Sequence, residues 1–338
     1  MDLNTIWFLL VGVLIIGYAI LDGFDLGVGS LYYLLAKNDA EKKLLLNSIG
    51  PVWDANEVWL LTGGGALFAA FPVVYATVFS GFYLAMMLVV FGLIFRAVAV
   101  EFRSKDEAPQ WRKGFDLLFF LGSFLPALLF GVAVGNVASG LPLDNGYNYT
   151  GGFFHLLNPY ALLFGLLGLS AFLLQGVTYT LLKTEGAVFE RAKRLAGKVW
   201  LLFAVLYVLA GMYSLWAAPS LFANYVKYPL LFVLPVITWL AMLLTQVALR
   251  KARYGISFLA SSLSMAGMVL ILAAGLFPRL VPAKDPSLSL TIYNASSSPL
   301  TLKVMLIIAL TGVPIVLFYT AYVYRVFRDK VKPGNEAY

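Results

Sequence analysis

Nine apolar stretches, each long enough to cross a lipid bilayer, follow one another along this chain. An α-helix rises about 1.5 Å per residue, so about 20 apolar residues span the hydrocarbon core of a membrane. Because lipid offers the backbone no hydrogen-bonding partner, each stretch must be helical. The sequence therefore predicts an all-α polytopic membrane protein, a single integral domain over residues 1–338, with helices at about 6–35, 51–71, 73–100, 115–138, 159–182, 199–218, 228–249, 256–277 and 300–324.

The region around Pro72 leaves the number of spans open. The apolar run from Trp59 to Val100 is too long for one crossing, and a proline ends or kinks a helix. A tight hairpin at Phe71-Pro72 gives nine spans, whereas a re-entrant segment over 51–71 gives eight.

The positive charges are sorted by membrane side. With nine spans and the N-terminus outside, 20 of the 24 Lys and Arg residues fall on the inner side. Because cytoplasmic segments collect Lys and Arg, the sequence predicts an outer N-terminus and an inner C-terminus. This sorting accounts for the net charge of +7, which therefore does not indicate nucleic-acid binding. The outer exceptions are Lys227, Arg279, Lys284 and Lys303.

The connections between the spans are too short for a separate soluble domain. The two longest outer ones, 139–158 and 278–299, are rich in Gly and Pro and have no helical period, so they are predicted to be surface loops. The inner segment 183–198 is basic and partly amphipathic, which suggests an anchor on the inner membrane surface.

Few residues in this chain could hold a metal or haem. The chain has no cysteine, which excludes thiolate sites and disulfides, and haem usually takes at least one histidine ligand. Its one histidine, His155, falls in the predicted loop 139–158, and its methionines are scattered through apolar segments as packing residues. We therefore expect no metal site in this chain, and any redox cofactor would belong to another chain.

Four carboxylates lie inside the apolar stretches. Asp22 and Asp25 fall in the first, and Asp54 and Glu57 begin the second. The members of each pair are three residues apart, so each pair should share a helix face, and because a charge facing lipid is costly they should face protein or water. From the predicted topology all four gather in the cytoplasm-facing third, near Arg96.

Two interpretations of the acids compete. In the functional one, carboxyl groups in a partly wet cleft take up and release protons, so all four are proton-path candidates. In the structural one, an acid caps backbone or pairs with Arg96 as its counter-ion and fixes the bundle. Gly23 and Gly27, and the run 63–65, are expected to let neighbouring backbones touch.

Two motifs carry a family resemblance. Residues 21–29 read LDGFDLGVG and residues 53–60 read WDANEVWL, and together they resemble subunit II of the cytochrome bd-type quinol oxidases. The likeness covers essentially the whole chain. Supporting segments are 63–72, 79–83, 122–124, 131–133, 135–136, 157–159, 175–179, 296–302 and 319–322.

The resemblance implies an accessory subunit without haem ligands of its own. Its partner, subunit I, would bind the haems, b-type and also d-type, oxidise quinol and reduce dioxygen to water, and small further subunits could join them. The family fold is two four-helix bundles plus a peripheral helix, in a bacterial or archaeal cytoplasmic membrane. By likeness, Asp54 would lie on a proton route, Trp53 near a quinone and Trp59 near an oxygen path.

Two other functions stay open at the level of sequence. Intramembrane acids in a multi-span bundle also serve proton-coupled secondary transporters, although paired broken helices in corresponding halves are missing from the sequence. The chain could also be a purely structural partner that stabilises subunit I.

Overall fold

The structure, a computed structural model, describes residues 2–331 and is built almost entirely of helices. Its elements are α1 Leu3–Ser30, α2 Tyr32–Leu35, α3 Asp39–Ile49, α4 Trp53–Ala70, α5 Pro72–Gly81, α6 Tyr83–Phe102, α7 Pro109–Ser139, α8 Pro159–Lys183, α9 Gly186–Ala217, α10 Ala223–Lys227, α11 Val233–Arg250, α12 Tyr254–Leu276, β1 Arg279–Val281, β2 Leu290–Thr291 and α13 Pro299–Val326.

Eight helical segments within residues 2–331 are long and apolar enough to cross a membrane. They contain α1, α6, α7, α8, α9, α11, α12 and α13. The remaining predicted stretch, 51–71, forms the 18-residue helix α4, whose first turns carry Asp54 and Glu57. The predicted all-α membrane fold is thus confirmed.

The long helices form two bundles of four. Helices α1, α4, α6 and α7 make the first bundle, and α8, α9, α11 and α12 make the second. Two helices of the first bundle join it to the second: α7 packs extensively against α8, and α1 packs against α8 and α12. Helix α13 packs at the edge against α1 and α4, and only 6% of its apolar window is buried.

At one of the contacts between the two bundles, α1 and α8 touch backbone to backbone. A Cβ atom on Gly27 would lie 1.9 Å from the carbonyl oxygen of Phe172, and one on Gly176 would lie 2.4 Å from the carbonyl carbon of Gly27. The expectation for Gly27 is therefore met, but that for the run 63–65 is not. Apart from α4 itself, no part of residues 2–331 lies within 4 Å of a Cβ built on Gly64 or Gly65, because this part of α4 faces away from the bundles.

Several boundaries differ from the predicted ones. The stretch 73–100 is interrupted at Phe82, which separates α5 from α6. Most of the basic segment 183–198, predicted to be a connection, is the start of α9. This helix begins at Gly186, which has a positive φ of 67°, and continues without a break to Ala217. The charged residues of this segment thus extend a membrane helix.

The two long connections are more ordered than surface loops. Strands β1 and β2 pair antiparallel, and Leu141 exchanges backbone hydrogen bonds with the segment that follows β1. Leucines of both connections are buried in a cluster with Trp7, whose indole N–H donates to the carbonyl oxygen of Leu302 over 2.9 Å. We call this part of the molecule the loop end. The opposite end, where α1, α8 and α13 finish and α4 and α9 begin, is called the basic end.

Candidate functional site

Arg96 of α6 is the centre of a buried ionic group near the basic end. Its side chain has no exposed surface, and Nη1 donates to Asp22 Oδ1 of α1 over 2.6 Å. Nη2 donates to Glu57 Oε2 of α4 over 3.0 Å, and the Glu57 side chain is 21% exposed. Three helices of the first bundle are therefore joined by one guanidinium.

The fourth helix of the bundle covers this group closely. A Cβ atom on Gly122 of α7 would lie 2.6 Å from the backbone nitrogen of Arg96 and 2.5 Å from the carbonyl oxygen of Gly92. Without a side chain at Gly122, α7 lies directly against the backbone of α6. This contact helps to keep the guanidinium away from lipid.

Asp25 lies one turn beyond Asp22 but has a different partner. Its carboxylate is fully buried, and Oδ2 accepts a hydrogen bond of 2.8 Å from Asn56 Nδ2. Asn56 Oδ1 in turn accepts 2.8 Å from the hydroxyl of Tyr324 on α13. We call Asp22, Asp25, Asn56, Glu57 and Arg96 the Arg96 cluster.

Three buried polar atoms at this cluster have no hydrogen-bonding partner among residues 2–331. They are Asp22 Oδ2, Asp25 Oδ1 and Arg96 Nε. The buried hydroxyl of Tyr18, one turn before Asp22 on α1, lies near the Asp22 carboxylate but makes no hydrogen bond of normal length within that range. Because burying a polar atom without a hydrogen bond is costly, these atoms are positioned to hydrogen-bond to water.

The structure separates Asp54 from the other three acids. Asp54 is exposed on the outer side of α4, whereas Glu57 reaches inward to Arg96. Residues three apart on a helix are offset by about 60° around its axis. Because of this offset, Glu57 points into the bundle while Asp54 points away from it.

The two tryptophans of the same motif lie at different depths. Trp53 is buried at the first residue of α4. Trp59 is half-buried and covers Gly17 of α1, where a Cβ atom would lie 2.2 Å from its ring atom Cε3. Each indole therefore fixes α4 against its surroundings, close to the Arg96 cluster.

A second ionic group at the basic end was not anticipated from the sequence. Arg103, 2% exposed, donates from Nε to Asp116 Oδ1 over 2.6 Å and from Nη2 to Asp39 Oδ1 over 2.7 Å. Asp116 also accepts from Lys42 Nζ and from the Tyr32 hydroxyl. These contacts tie α2 and α3 to the α6–α7 turn. Charged residues are common at helix ends, so the sequence does not distinguish these residues from other surface charges.

An ion pair between α3, which is not a membrane span, and the first turns of α9 anchors α9. Arg191 pairs with Glu41 of α3 and donates from Nε to the carbonyl oxygen of Leu35 over 2.7 Å. The hydrogen bond from Arg191 holds the pKa of the Glu41 carboxyl below its usual range. The start of α9 is thus fastened to the segment between α1 and α4.

His155 has a local structural role at the loop end. Its Nδ1 accepts a hydrogen bond of 3.2 Å from the backbone N–H of Gly152 in an exposed turn. Among residues 2–331, no group of three or more His, Cys, Asp or Glu side chains could hold a metal ion. The side chains described therefore do not fit a haem or metal centre.

The fold and the buried cluster together define a class. The chain is a helical, multi-pass membrane protein in which two carboxyl groups pair with one guanidinium and a third is buried one turn away. Ionisable groups enclosed in this way are typical of membrane proteins that handle ions or protons.

This chain belongs to the family of cytochrome bd terminal oxidase subunit II, whose sequence model matches residues 3–327. It is 40% identical to the cytochrome bd-I ubiquinol oxidase subunit 2 of Escherichia coli K12, over 95% of this chain and 93% of that protein. It is 36% identical to the cytochrome bd ubiquinol oxidase subunit 2 of Bacillus subtilis, over 98% and 97%. The fold is similar to a chain in the structure of bd oxidase from Geobacillus thermodenitrificans, with a TM-score of 0.81, 18% identity and coverage of 97% and 99%.

The resemblance in the sequence is therefore confirmed, and the chain is a subunit of a terminal quinol oxidase complex. It is a multi-pass membrane protein with a partner subunit. The relatives do not support the alternative of a proton-coupled transporter.

Proposed function

We propose that this chain supplies a proton path to the oxygen-reducing centre, which lies in a haem-bearing subunit I. The observation that carries the proposal is the Arg96 cluster, in which Asp22 and Glu57 pair with one guanidinium. A third carboxyl group, that of Asp25, is buried one turn away and, within residues 2–331, is hydrogen-bonded only to Asn56. Charge balance in so apolar a region is reached only if the carboxyl groups in excess of the guanidinium bind protons. Such protons can be exchanged, whereas a purely structural ion pair needs no excess acid.

The depth of the cluster suits uptake from the basic end. At about 1.5 Å per residue, Asp22 lies about 12 Å from the end of α1 and Glu57 about 6 Å from the start of α4. Because Lys and Arg collect on the cytoplasmic side, we propose that the basic end faces the cytoplasm. The N-terminus would then be outside and the C-terminus inside, in a bacterial or archaeal cytoplasmic membrane.

We infer that the outer face of α4 binds subunit I. A stripe of exposed residues at alternate spacings of three and four runs along it: Asp54, Val58, Leu61, Gly65 and Phe68. A carboxylate turned to lipid costs about 2.5 to 3.5 kcal/mol even on lenient insertion scales. A glycine in the same stripe allows another helix to approach closely. An acid and a glycine on one face suit a protein partner better than lipid.

The roles of the remaining candidates follow the family resemblance. Asp54 would take part in the proton route at the interface with subunit I, Trp53 would lie near a quinone and Trp59 near an oxygen path. Haem, of the b and d types, and the reacting quinol are assigned to subunit I. The side chains described in this chain offer no fitting ligand set, so no step through haem is assigned to it.

The test is the pH dependence of quinol-driven oxygen uptake by the purified complex. Asp25→Asn and Asp54→Asn are expected to reduce turnover most at high pH, where protons are scarce, while the haem absorption spectrum stays normal. Glu190→Gln is a control, because Glu190 is exposed near the start of α9, away from the cluster. Turnover of Asp25→Asn equal to that of the control at every pH would refute the proposal.

A further inference from the structure

A cavity of about 170 Å³ opens at the basic end, where α8 and α13 finish and α4 begins. Polar and charged side chains line it together with apolar ones such as Val52 and Phe327, and it has room for several water molecules. Its lining includes Asn47, Ser48, Tyr179, Lys183, Tyr324 and Asp329. We call it the Tyr324 cavity.

The last described residues of the chain border this cavity. Residues 327–331, the C-terminal strap, run back along the end of α8. The backbone N–H of Val331 donates to the carbonyl oxygen of Lys183 over 2.9 Å, and the Lys183 ammonium donates to the carbonyl oxygen of Phe327. Lys330 also pairs with Glu185 over 3.3 Å. The opening of the cavity is therefore partly covered by a hydrogen-bonded segment.

Two hydrogen bonds join the lining of this cavity to the buried Asp25. The Tyr324 hydroxyl donates to Asn56 Oδ1, and Asn56 Nδ2 donates to Asp25 Oδ2, both over 2.8 Å. Asn56 has no exposed surface. Tyr324 and Asn56 can therefore hold Asp25 in place. Because an amide does not pass protons readily, water molecules would have to carry the protons.

The carboxyl group of Asp25 is oriented by one of its oxygens only. Oδ1 is buried and accepts no hydrogen bond from residues 2–331, although the other oxygen is satisfied by Asn56. A free acceptor in such a place suits a water molecule or a bound proton. The titratable or charged groups that face Asp25 from its own and neighbouring helices are Asp22 of α1, Glu57 of α4, Arg96 of α6, Tyr179 of α8 and Tyr324 of α13.

We propose that the Tyr324 cavity is a water-filled antechamber through which Asp25 exchanges protons with the aqueous phase at the basic end. Tyr324 and Asn56 are positioning residues that hold the carboxyl group toward this water, and the C-terminal strap restricts the opening. The route is separate from Asp54, which lies on the outer face of α4. This inference rests on the proposed function, since it names the access route to the same cluster.

The first experiment removes one hydroxyl group. In the purified complex, Tyr324→Phe is expected to lower oxygen uptake about fivefold, the equivalent of one net hydrogen bond. The loss should grow as pH rises, while the KM for quinol stays unchanged. Tyr254→Phe is the matched control, since Tyr254 begins α12 at the same end and lies outside the cavity lining.

The second experiment blocks the cavity. The chain has no cysteine, so a single cysteine in it can be labelled selectively. The Asn47→Cys complex is treated with a neutral methanethiosulfonate, and labelling of this subunit is measured by mass. Turnover of Asn47→Cys is expected to fall on labelling. The control is Lys193→Cys at an exposed position of α9, whose turnover should not change on labelling. If Asn47→Cys does not assemble, Asp329→Cys in the strap takes its place.

The outcomes separate the two proposals. If Asp25→Asn slows turnover but Tyr324→Phe and the labelled cysteine variant do not, the antechamber is wrong while the proton path stands. If Asp25→Asn also has no effect, both are wrong. If all three slow turnover with the predicted pH dependence and the two controls do not, the antechamber is supported.

Discussion

Arg96 and Asp22 form a salt bridge of 2.6 Å in which neither side chain has any exposed surface. Removing one partner of such a pair leaves the other charged and buried, which typically costs about 3 to 5 kcal/mol. We therefore expect Arg96→Leu to destabilise the complex by about that amount. The thermal unfolding midpoint of the purified complex measures it, with Arg194→Leu at an exposed position of α9 as the control.

The same pair allows a compensation test. Asp22→Asn removes a negative charge that Arg96→Leu leaves without its partner, so the double variant should be more stable than Arg96→Leu alone. A double variant that loses the sum of the two single effects would mean that these residues do not interact.

The crossing of α1 and α8 should tolerate no added atom. Gly27→Ala would bring a Cβ to 1.9 Å from the carbonyl oxygen of Phe172, so the helices must separate, at a cost of about 1 to 3 kcal/mol. Gly211→Ala on α9 should be neutral or stabilising by up to about 1 kcal/mol, since apart from α9 itself no part of residues 2–331 lies within 4 Å of the added Cβ. The thermal unfolding midpoints of both variants test this prediction. Equal midpoints for Gly27→Ala and Gly211→Ala would contradict the close contact of α1 and α8.

The ion pair of Glu41 and Arg191 should make stability depend on acid pH. Because the pKa of Glu41 is lower in the folded chain than its ordinary value, its contribution is complete above the ordinary value of about 4.3. It is lost as the pH falls through the lowered value. Glu41→Gln should thus cost about 1 kcal/mol or less at pH 7, and the difference from the unchanged chain should shrink in acid.

Unfolding midpoints measured from neutral to acid pH test this prediction. Glu107→Gln is the control, since the Glu107 side chain is 97% exposed and lies 3.8 Å from Arg112. A stability difference for Glu41→Gln that does not change with pH would point to lost packing instead of lost charge.

The outer face of α4 should decide whether subunit I binds. Gly65→Leu adds a large side chain to the exposed stripe, and we expect subunit I to be lost from the purified complex. Gly211→Leu makes the same change on α9 and should leave the subunits together. Copurification on a tag fused to this chain measures both, and full recovery of subunit I with Gly65→Leu would exclude this face.

The sequence predicted the helices well because a membrane span is set by length and hydropathy, which are local properties. It also brought Asp22, Glu57 and Arg96 to one depth, since topology alone determines depth. It could not separate Asp54 from Glu57, because which of two neighbouring acids faces inward depends on how α4 is rotated against α1 and α6. That rotation is fixed by packing such as Trp59 on Gly17.

Contacts between residues far apart in the chain could also not be predicted from the sequence. The contact of Asn56 with Tyr324 joins residues 268 positions apart, and nothing near either residue marks it. The glycines at 63–65 misled for the opposite reason. A glycine permits another helix to approach closely, but that helix need not belong to the same chain. Here the glycines lie on the face of α4 that points away from the bundles.

The most direct test of the proton path follows the pH inside proteoliposomes that contain the complex in one known orientation. With the basic end inside and a pH-sensitive dye enclosed, quinol-driven oxygen reduction should make the interior alkaline, and Asp25→Asn should slow this change in step with oxygen uptake. Glu190→Gln should behave as the unchanged chain does. Alkalinisation and oxygen uptake at the full rate in Asp25→Asn would contradict the account, because protons would then reach oxygen without the buried cluster.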